Sequence, residues 1–322
     1  MRVVSLVPSV TESLYALGMH DEVVGITYAC PNPEPNHHRR VVVRPVLNTE
    51  NMGQLEIDNA VREHLAARKP LYEIDYEAIL NLRPDLIVVQ DLCHVCAVTP
   101  SQVQVEGLPR TIAVAPKTVN ESLQSILELA RLVGREAEGK ELVERLRMRL
   151  DLVRDLVSGL EVKRTLFMEW CYPPFCGGHW VPEMVSIAGG RDFGVPGVPS
   201  RMVSPPELIS FMPEVVVVGP CGFNLERSRK DAESLNQLDW FRALPAFARR
   251  EVYAVDAKRY FSGHGPSIAA GVEVLAEVIH GECVRDLAPE GSYTRVTFGL
   301  IASESEGKDL GEPWSNRASR NT

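Results

Sequence analysis

The sequence predicts an α/β protein made of two Rossmann-like lobes with mainly parallel sheets, joined by one long helix and separated by a ligand cleft. Short apolar strands alternate with helices along both halves of the 322-residue chain. A charged segment with an apolar stripe, residues 136–160, occupies the middle. In addition, residues 76–89 (YEAILNLRPDLIVV) and 205–218 (PPELISFMPEVVVV) share a helix–proline–strand pattern. Chance similarity between α/β units also produces such pairs, so the pattern favours duplication without requiring it.

Residues 1–135 are predicted to form the N-terminal lobe. Ser9 or Thr11 caps its first helix and Gly18 ends it, while Pro84 follows the end of another helix. The predicted strands are Val3–Val7, Glu22–Ile26, Leu86–Val89 and Thr111–Val114, and the predicted helices are Val10–Leu17, Leu55–Arg68, Tyr76–Leu82 and Val119–Val133.

Residues 136–160 are predicted to form one continuous bridging helix. Its apolar side chains recur at three- and four-residue steps, at Leu142, Leu146, Leu150, Val153 and Val157. A C-terminal lobe is predicted over 161–285, with strands Thr165–Met168, Val215–Val218 and Val252–Val255 and helices Pro182–Ala188, Glu207–Met212 and Pro266–Ile279. Residues 286–322 are polar and aperiodic, which predicts a mobile tail.

Composition and the chain start limit the classes of function. The net charge of −9 argues against general nucleic-acid binding. Apolar runs stay well below the roughly 18 residues that a membrane-spanning helix needs, so we expect no membrane insertion. Met1 leads directly into the first strand without a signal-peptide pattern, which predicts a cytoplasmic protein. A chain trimmed to its mature start would instead be periplasmic or extracellular.

Unusual side chains concentrate in the loops that follow the predicted strands. Ligands of open α/β sheets bind at this carboxyl edge, and six of the seven cysteines fall there. The alternatives are that glycine- and proline-rich turns tolerate cysteine, that the aromatic residues close the sheet as core, and that the histidines are structural. The predicted ligand-binding residues are Pro8, Ser9, Tyr28, Cys30, Cys93, Cys96, Trp170, Phe175, His179, Trp180, Cys221, Phe261 and His264.

The Cys93-x-x-Cys96 spacing is open to three interpretations. It suits lining thiols, a metal site or redox chemistry. A four-cysteine zinc site would have to recruit Cys30 and Cys221 as further ligands, and we expect these thiols to converge at the cleft. Standard catalytic motifs such as GxSxG, the P-loop and GxGxxG after the first strand are absent from the sequence, which predicts a protein that is not an enzyme.

Several long segments resemble a known family. RVVSLVPSVTESLYALG, the two helix–proline–strand units and the single central helix are similar to class III, helical-backbone substrate-binding proteins. Within that family, QDLCHVCAV, EWCYPPFCGGHWVPEMVSIAGG, GPCGFNLERS and VDAKRYFSGHGP resemble a cobalamin-binding subgroup. The resemblance implies binding, without catalysis, of a corrinoid or related metal chelate in the cleft between the lobes. It needs no cofactor beyond that ligand, although zinc or iron is possible.

The resemblance also implies a partner. Transporter-bound members of the family present one surface glutamate on each lobe to the permease of an ABC importer. In this chain those positions fall at Glu77 and, one step after Pro206, at Glu207. Two alternatives stay open: a cytoplasmic metal- or thiol-dependent protein that uses Cys30, Cys93, Cys96 and Cys221, and a protein that binds ferric siderophores or haem.

Overall fold

The first half of the chain forms a six-stranded sheet in the computed structural model, which describes residues 1–31, 39–92, 95, 97–103 and 107–298. The strand order is β4-β3-β2-β1-β5-β6, and all neighbours are parallel except β3 and β4. The strands are β1 (Val3–Ser5), β2 (Val23–Thr27), β3 (Arg40–Pro45), β4 (Tyr72–Ile74), β5 (Leu86–Gln90) and β6 (Arg110–Val114). The helices are α1 (Pro8–Ala16), α2 (Gln54–Ala66), α3 (Tyr76–Leu82) and α4 (Val119–Leu132).

One helix, α5 (Glu136–Val157), connects this half to the next. Its apolar stripe is buried against α4 on one side and a helix of the second half on the other. A Cβ at Gly139 would lie only 2.3 Å from the Cβ of Ala130, so α4 and α5 cross at a distance that requires glycine. The helix ends at Val157, earlier than the predicted residue 160, because Ser158 is extended and Gly159 is left-handed.

The second half forms another six-stranded sheet, with order β12-β11-β10-β7-β8 and β9 beside β7. Its strands are β7 (Lys163–Cys171), β8 (Pro174–Cys176), β9 (Gly190–Asp192), β10 (Val215–Val218), β11 (Val252–Val255) and β12 (Tyr293–Arg295). Its helices are α6 (Val181–Ile187), α7 (Pro205–Phe211), α8 (Leu225–Ser234), α9 (Asp239–Arg242), α10 (Pro245–Ala248), α11 (Ala257–Tyr260) and α12 (Ile268–His280). The predicted domain bounds 1–135, 136–160 and 161–285 stay a proposal, and we call the residues before and after α5 lobe 1 and lobe 2.

The predicted tail is corrected at its start. Residues 293–295 form β12, which pairs antiparallel with β11, and Ser292 and Val296 are buried beside it. The rest of that prediction, from residue 299, lies outside the described residues. Sequence analysis also missed β3, β4 and α8, since the edge strand β4, its partly exposed neighbour β3 and a charged helix carry little apolar periodicity.

The two lobes share one pattern of reciprocal hydrogen bonds near the start of their first strands. In lobe 1, Arg2 and Asp85 exchange hydrogen bonds: the Arg2 amide donates to Asp85 Oδ2 at 2.7 Å, and the Asp85 amide donates to the Arg2 carbonyl at 2.8 Å. In lobe 2, Arg164 and Glu214 make the same exchange, at 3.1 and 2.7 Å. Each acid follows the proline of the repeated unit, so the sequence similarity corresponds to the same local structure in both lobes.

A single hydrophobic cluster joins the lobes around α5. It runs from α1 and α4 of lobe 1, through the buried face of α5, to α6 and α12 of lobe 2. Arg149 on α5 and Glu273 on α12 add a bidentate ion pair with N–O distances of 2.7 and 2.6 Å. The carboxyl edges of the two sheets are therefore held against each other on the side where the predicted site residues lie.

Candidate functional site

Gln54, at the first position of α2, links lobe 1 to lobe 2 directly. Its side chain is 2% exposed. The amide nitrogen donates to Asp231 Oδ2 of α8 at 2.7 Å, and the amide oxygen accepts from the backbone N–H of Cys171 at 2.6 Å. Desolvation raises the pKa of Asp231, which is opposed by the hydrogen bond from Gln54. Both polar ends of Gln54 are thus satisfied across the lobe boundary.

Arg227 on α8 makes a second contact between the lobes. Its guanidinium donates to the carbonyls of Thr49 and Met52 in lobe 1, at 3.0 and 2.7 Å. The same guanidinium lies 3.8 Å from the centre of the Phe223 ring, and Trp170 meets that ring edge-on at 5.5 Å. Trp170, predicted as a pocket wall, therefore belongs to an aromatic and cationic contact at the lobe boundary.

Trp180 is a core residue, which corrects the prediction that it lines an open pocket. Its side chain is 7% exposed, and its indole N–H donates to the Phe261 carbonyl at 3.1 Å. The predicted ligand residue Phe261 is 4% exposed and packs on Phe167 at 5.0 Å. Pairing of the indole N–H inside the protein is what a buried tryptophan requires. Both aromatic side chains are thus packed inside the protein and present no accessible ring face to a ligand.

His264 and Ser9 lie on opposite sides of a close approach between the lobes, at Gly263 and Gly265. His264 packs edge-on against Trp180 at 5.6 Å, and burial lowers the pKa of its imidazole to about 4, so the ring is neutral at physiological pH. A Cβ at the neighbouring Gly263 would lie 3.2 Å from the Ser9 Cβ, which shows how closely the lobes approach. The Ser9 hydroxyl and His264 Nε2 are buried and have no hydrogen-bond partner among the described residues.

Pro8 and Tyr28 lie beside a small cavity on lobe 1. Tyr28 is 49% exposed, and its ring lies 6.5 Å from the ring of Tyr72, which also lines the cavity. Two further apolar side chains of lobe 1 are exposed: Val46, which follows β3, and Val95, whose carbonyl accepts from the Tyr72 hydroxyl at 2.9 Å. The cavity has a volume of about 30 Å³. Among the predicted ligand-binding residues that the structure describes, Tyr28 alone is exposed.

Cys30 lies inside lobe 1, which corrects its predicted placement as a thiol facing the cleft. Its sulfur accepts a hydrogen bond from the Thr11 hydroxyl at 3.0 Å and from the Thr27 amide at 3.4 Å, and the residue is 8% exposed. Burial raises the pKa of this thiol, with the hydrogen bonds from Thr11 and Thr27 acting in the opposite direction. A buried, protonated thiol is a poor nucleophile and a poor metal ligand.

The other predicted metal ligands do not complete a site within the described chain. Cys93 and Cys96 lie outside the described residues. Cys221 is half-buried, and its backbone N–H donates to the Glu169 carbonyl at 3.2 Å. Within residues 1–31, 39–92, 95, 97–103 and 107–298, the His, Cys, Asp and Glu side chains form no group of three or more that could hold a metal ion. The predicted set of four cysteines therefore stays a prediction.

Phe175 lies on β8, which forms a hairpin with β7, and His179 lies in the short loop between β8 and α6. Phe175 is half-buried and pairs across the strands with Trp170. His179 has a left-handed backbone, and its amide donates to the Val198 carbonyl at 2.7 Å. Burial, together with Lys117, lowers the pKa of His179. These two residues are only partly accessible.

The two predicted docking glutamates differ in their surroundings. Both are exposed near the start of a short helix, α3 or α7. The carboxylate of Glu207 accepts from the amide and hydroxyl of Ser204, both at 2.8 Å, and from Arg201 at 3.0 Å. These bonds lower the pKa of Glu207, the backbone bond most strongly. Glu77 has no such bond among those described, so it is the more available of the two.

Sequence analysis missed three residues that shape this region. Arg227 stands within the segment GPCGFNLERS that carries the resemblance, so a signal for it was present. Gln54 gave none, because a single polar residue at a helix start is indistinguishable from ordinary surface until the partner lobe is placed. Glu12 stands within RVVSLVPSVTESLYALG, another segment that carries the resemblance, but nothing in the sequence paired its carboxylate with Ser267. The helices of the described part include none that is both long and apolar enough to cross a membrane.

Comparison with known proteins agrees with this architecture. A family model described as periplasmic binding protein matches residues 3–258. An ABC transporter substrate-binding lipoprotein of Bacillus subtilis is 22% identical over 298 residues, 88% of this chain and 82% of the relative. The vitamin B12-binding protein of Yersinia pestis is 26% identical over 227 residues, 67% of this chain and 69% of the relative.

Solved structures confirm the two-lobed α/β fold. The periplasmic heme-binding protein of Roseiflexus sp. RS-1 superposes with a TM-score of 0.64 at 22% identity, over 88% of this chain and 99% of the other. The expectation of a cytoplasmic protein is wrong, because the matching family model is described as periplasmic binding protein and the relative from Bacillus subtilis is a lipoprotein. The match over residues 3–258, with the paired sheets around α5, shows that the chain belongs to the periplasmic binding protein family.

Proposed function

We propose that the protein binds a corrinoid or related metal chelate between its lobes and presents it to an ABC importer, without catalysing a reaction. The observation that carries this proposal is the family match together with two facing carboxyl edges that bear aromatic side chains, Tyr28 and Tyr72 on lobe 1 and Trp170 on lobe 2. Vitamin B12 is the ligand named for one relative and haem for one solved neighbour. Large planar chelates gain most of their affinity from such apolar and aromatic surfaces.

We propose that the lobes move apart to admit a chelate of this size. Pockets for small-molecule ligands measure about 300–1,000 Å³, whereas the cavity beside Tyr28 measures about 30 Å³. The contacts of Gln54 and Arg227 with the opposite lobe therefore have to give way, or lengthen, as the ligand enters. We propose Pro8, Tyr28 and Tyr72 as the first surface that the ligand meets.

Delivery to a transporter is the finer part of the proposal. Glu77 is exposed and makes no bond among the described residues, so its carboxylate can meet a cationic group of a permease at little cost. Glu207 would first have to exchange its bonds to Ser204 and Arg201. We therefore propose that lobe 1 carries the larger share of docking through Glu77.

A ligand screen tests the binding proposal. Purified protein is titrated with cyanocobalamin, hydroxocobalamin, haemin and a ferric siderophore, with calorimetry and absorbance as readouts. We expect saturable binding of at least one chelate, and Tyr28→Ala weakens it by about 1–3 kcal/mol, as for loss of an aromatic anchor. Met148→Ala, an exposed apolar residue on α5, is the matched control and leaves affinity unchanged. Equal affinity in both variants, or binding of none of the four chelates, contradicts the proposal.

A further inference from the structure

Glu12 on α1 of lobe 1 caps a helix of lobe 2. Its Oε1 accepts from the Ser267 amide at 2.7 Å, and its Oε2 accepts from the Ser267 hydroxyl at 3.0 Å. Ser267 directly precedes α12, where a capping box would place an acid at the third helical position. That position is Ala270, which has no acceptor, so the opposite lobe supplies the missing carboxylate.

Lobe 2 returns the same contact to lobe 1. Glu183 on α6 accepts from the backbone N–H of Val119, the first residue of α4, at 2.7 Å. That N–H has no partner within its own helix, because the first four amides of any helix lack one. The residue before it, Thr118, uses its hydroxyl for the amide of Glu121. The two capped helices, α4 and α12, are also the two that pack most extensively against α5.

We propose that Glu12 and Glu183 form a reciprocal lock, in which each lobe caps a helix of the other beside α5 and so sets the separation of the lobes. Negative charge at a helix start is favourable, and each contact is lost when the lobes part. Two such contacts, one from each lobe, restrain rotation about α5 more than either does alone. The lock itself is independent of any ligand, while its role in admitting a chelate rests on the function proposed above.

The surroundings of Glu12 make this lock sensitive to pH. Burial raises the pKa of Glu12 to about 7, against the two bonds from Ser267 and the charge of Arg259 on α11. The neutral His264 precedes Gly265, which lies against the Glu12 carboxylate, and Cys30 bonds to Thr11, the residue before Glu12. Tyr15 follows three residues later on the same helix. The charged side chains at the start and end of α4 are exposed to solvent.

The direction of the pH effect follows from proton uptake. When the lobes part, Glu12 becomes hydrated and its pKa returns towards the ordinary value of 4.5. The closed arrangement therefore binds more protons between pH 4.5 and 7, and acidification through this range favours closure. Protonated Glu12 keeps its place, since its carbonyl oxygen still accepts from the Ser267 amide.

Hydrogen exchange measured by mass spectrometry on the full chain tests the lock. Glu12→Ala, a change in lobe 1, should speed exchange at least tenfold in the lobe 2 peptide that spans 265–270. Glu183→Ala should do the same at 118–121 in lobe 1. Glu121→Ala is the matched control: its carboxylate caps α4 from within lobe 1 through the Lys117 amide. It should speed exchange at 117–121 and leave residues 265–270 unchanged.

Small-angle scattering gives the second readout, on protein whose far-ultraviolet circular dichroism matches wild type. We expect a larger radius of gyration for wild type at pH 8 than at pH 5, and no pH dependence for Glu12→Gln, which keeps the acceptor but does not titrate. Unchanged exchange in both alanine variants, or a wild-type radius that is constant with pH, overturns the lock. Neither measurement uses a ligand. A failure to bind chelates therefore leaves the lock intact, and a failure of the lock leaves the binding proposal intact.

Discussion

Replacement of Trp180 by alanine should cost folding stability before it affects any ligand. The indole is 7% exposed, its N–H donates to the Phe261 carbonyl at 3.1 Å, and its edge supports His264 at 5.6 Å. Removal of a buried tryptophan typically costs about 3–5 kcal/mol, because the cavity closes only in part. We therefore expect a loss of this size for Trp180→Ala in the free energy of unfolding.

Trp180→Phe separates the contribution of apolar packing from that of the indole hydrogen bond. A phenyl ring fills much of the same space but leaves the Phe261 carbonyl without its donor, which should cost about 1–3 kcal/mol. Met148→Ala is the surface control, since Met148 is 58% exposed on α5, and it should change stability by no more than about 0.5 kcal/mol.

Urea denaturation followed by far-ultraviolet circular dichroism is the assay, because it reports the whole fold independently of the tryptophans. The three variants should rank in the order alanine, phenylalanine and surface control, from the least stable upward. If Trp180→Ala unfolds at the same urea concentration as the surface control while chelate affinity falls, Trp180 is a cleft residue and the reasoning from its burial is refuted.

Three further predictions concern other residues. Under native conditions an alkylating reagent should modify the exposed Cys283 and spare the buried Cys30, as peptide mapping will show; equal labelling would contradict the burial of that thiol. Arg149→Leu should cost about 1–3 kcal/mol of unfolding free energy because its bidentate partner on α12 is largely buried, whereas Arg145→Leu, on the exposed face, should cost little. Acidification from pH 6.5 to 4 should lower the free energy of unfolding by up to about 3 kcal/mol through His264, because the unfolded chain takes up the imidazole proton at a higher pH than the folded chain. Urea titrations at both pH values will measure this loss, and His264→Phe should make it smaller.

Periodicity was sufficient to predict the central helix and the buried strands. The stripe from Leu142 to Val157 and the run of valines in β10 leave few alternatives, because only those periods bury the apolar side chains. Strands β3 and β4 were missed for the opposite reason, because few of their residues are buried. In β3 only two of the six residues are buried, so its pattern resembles a loop.

The sequence allowed us to predict which loops form the candidate site, but not the direction in which their side chains point. The rule that ligands meet the carboxyl edge predicted Ser9, Tyr28 and His264 as site residues. Ser9 lies against Gly263, next to His264, at the lobe boundary, and the role of all three residues in ligand binding stays a prediction. The rule could not show which loop side chains point into the protein. The Cys30 side chain does so, and its sulfur contacts the hydroxyls of Thr11 and Thr27. Contacts between lobes such as Glu12 with Ser267 depend on the relative placement of two domains, which no local pattern encodes.

The short strand β12 has a consequence for the solubility of the chain. Its backbone covers β11, whose four residues are all buried, and the Arg295 guanidinium bonds to the Tyr253 hydroxyl at 2.6 Å. A chain shortened before residue 292 would leave β11 as an open border with unpaired amides and carbonyls. Such an edge can pair with strands of other molecules. Strand β12 therefore protects the chain against association through β11.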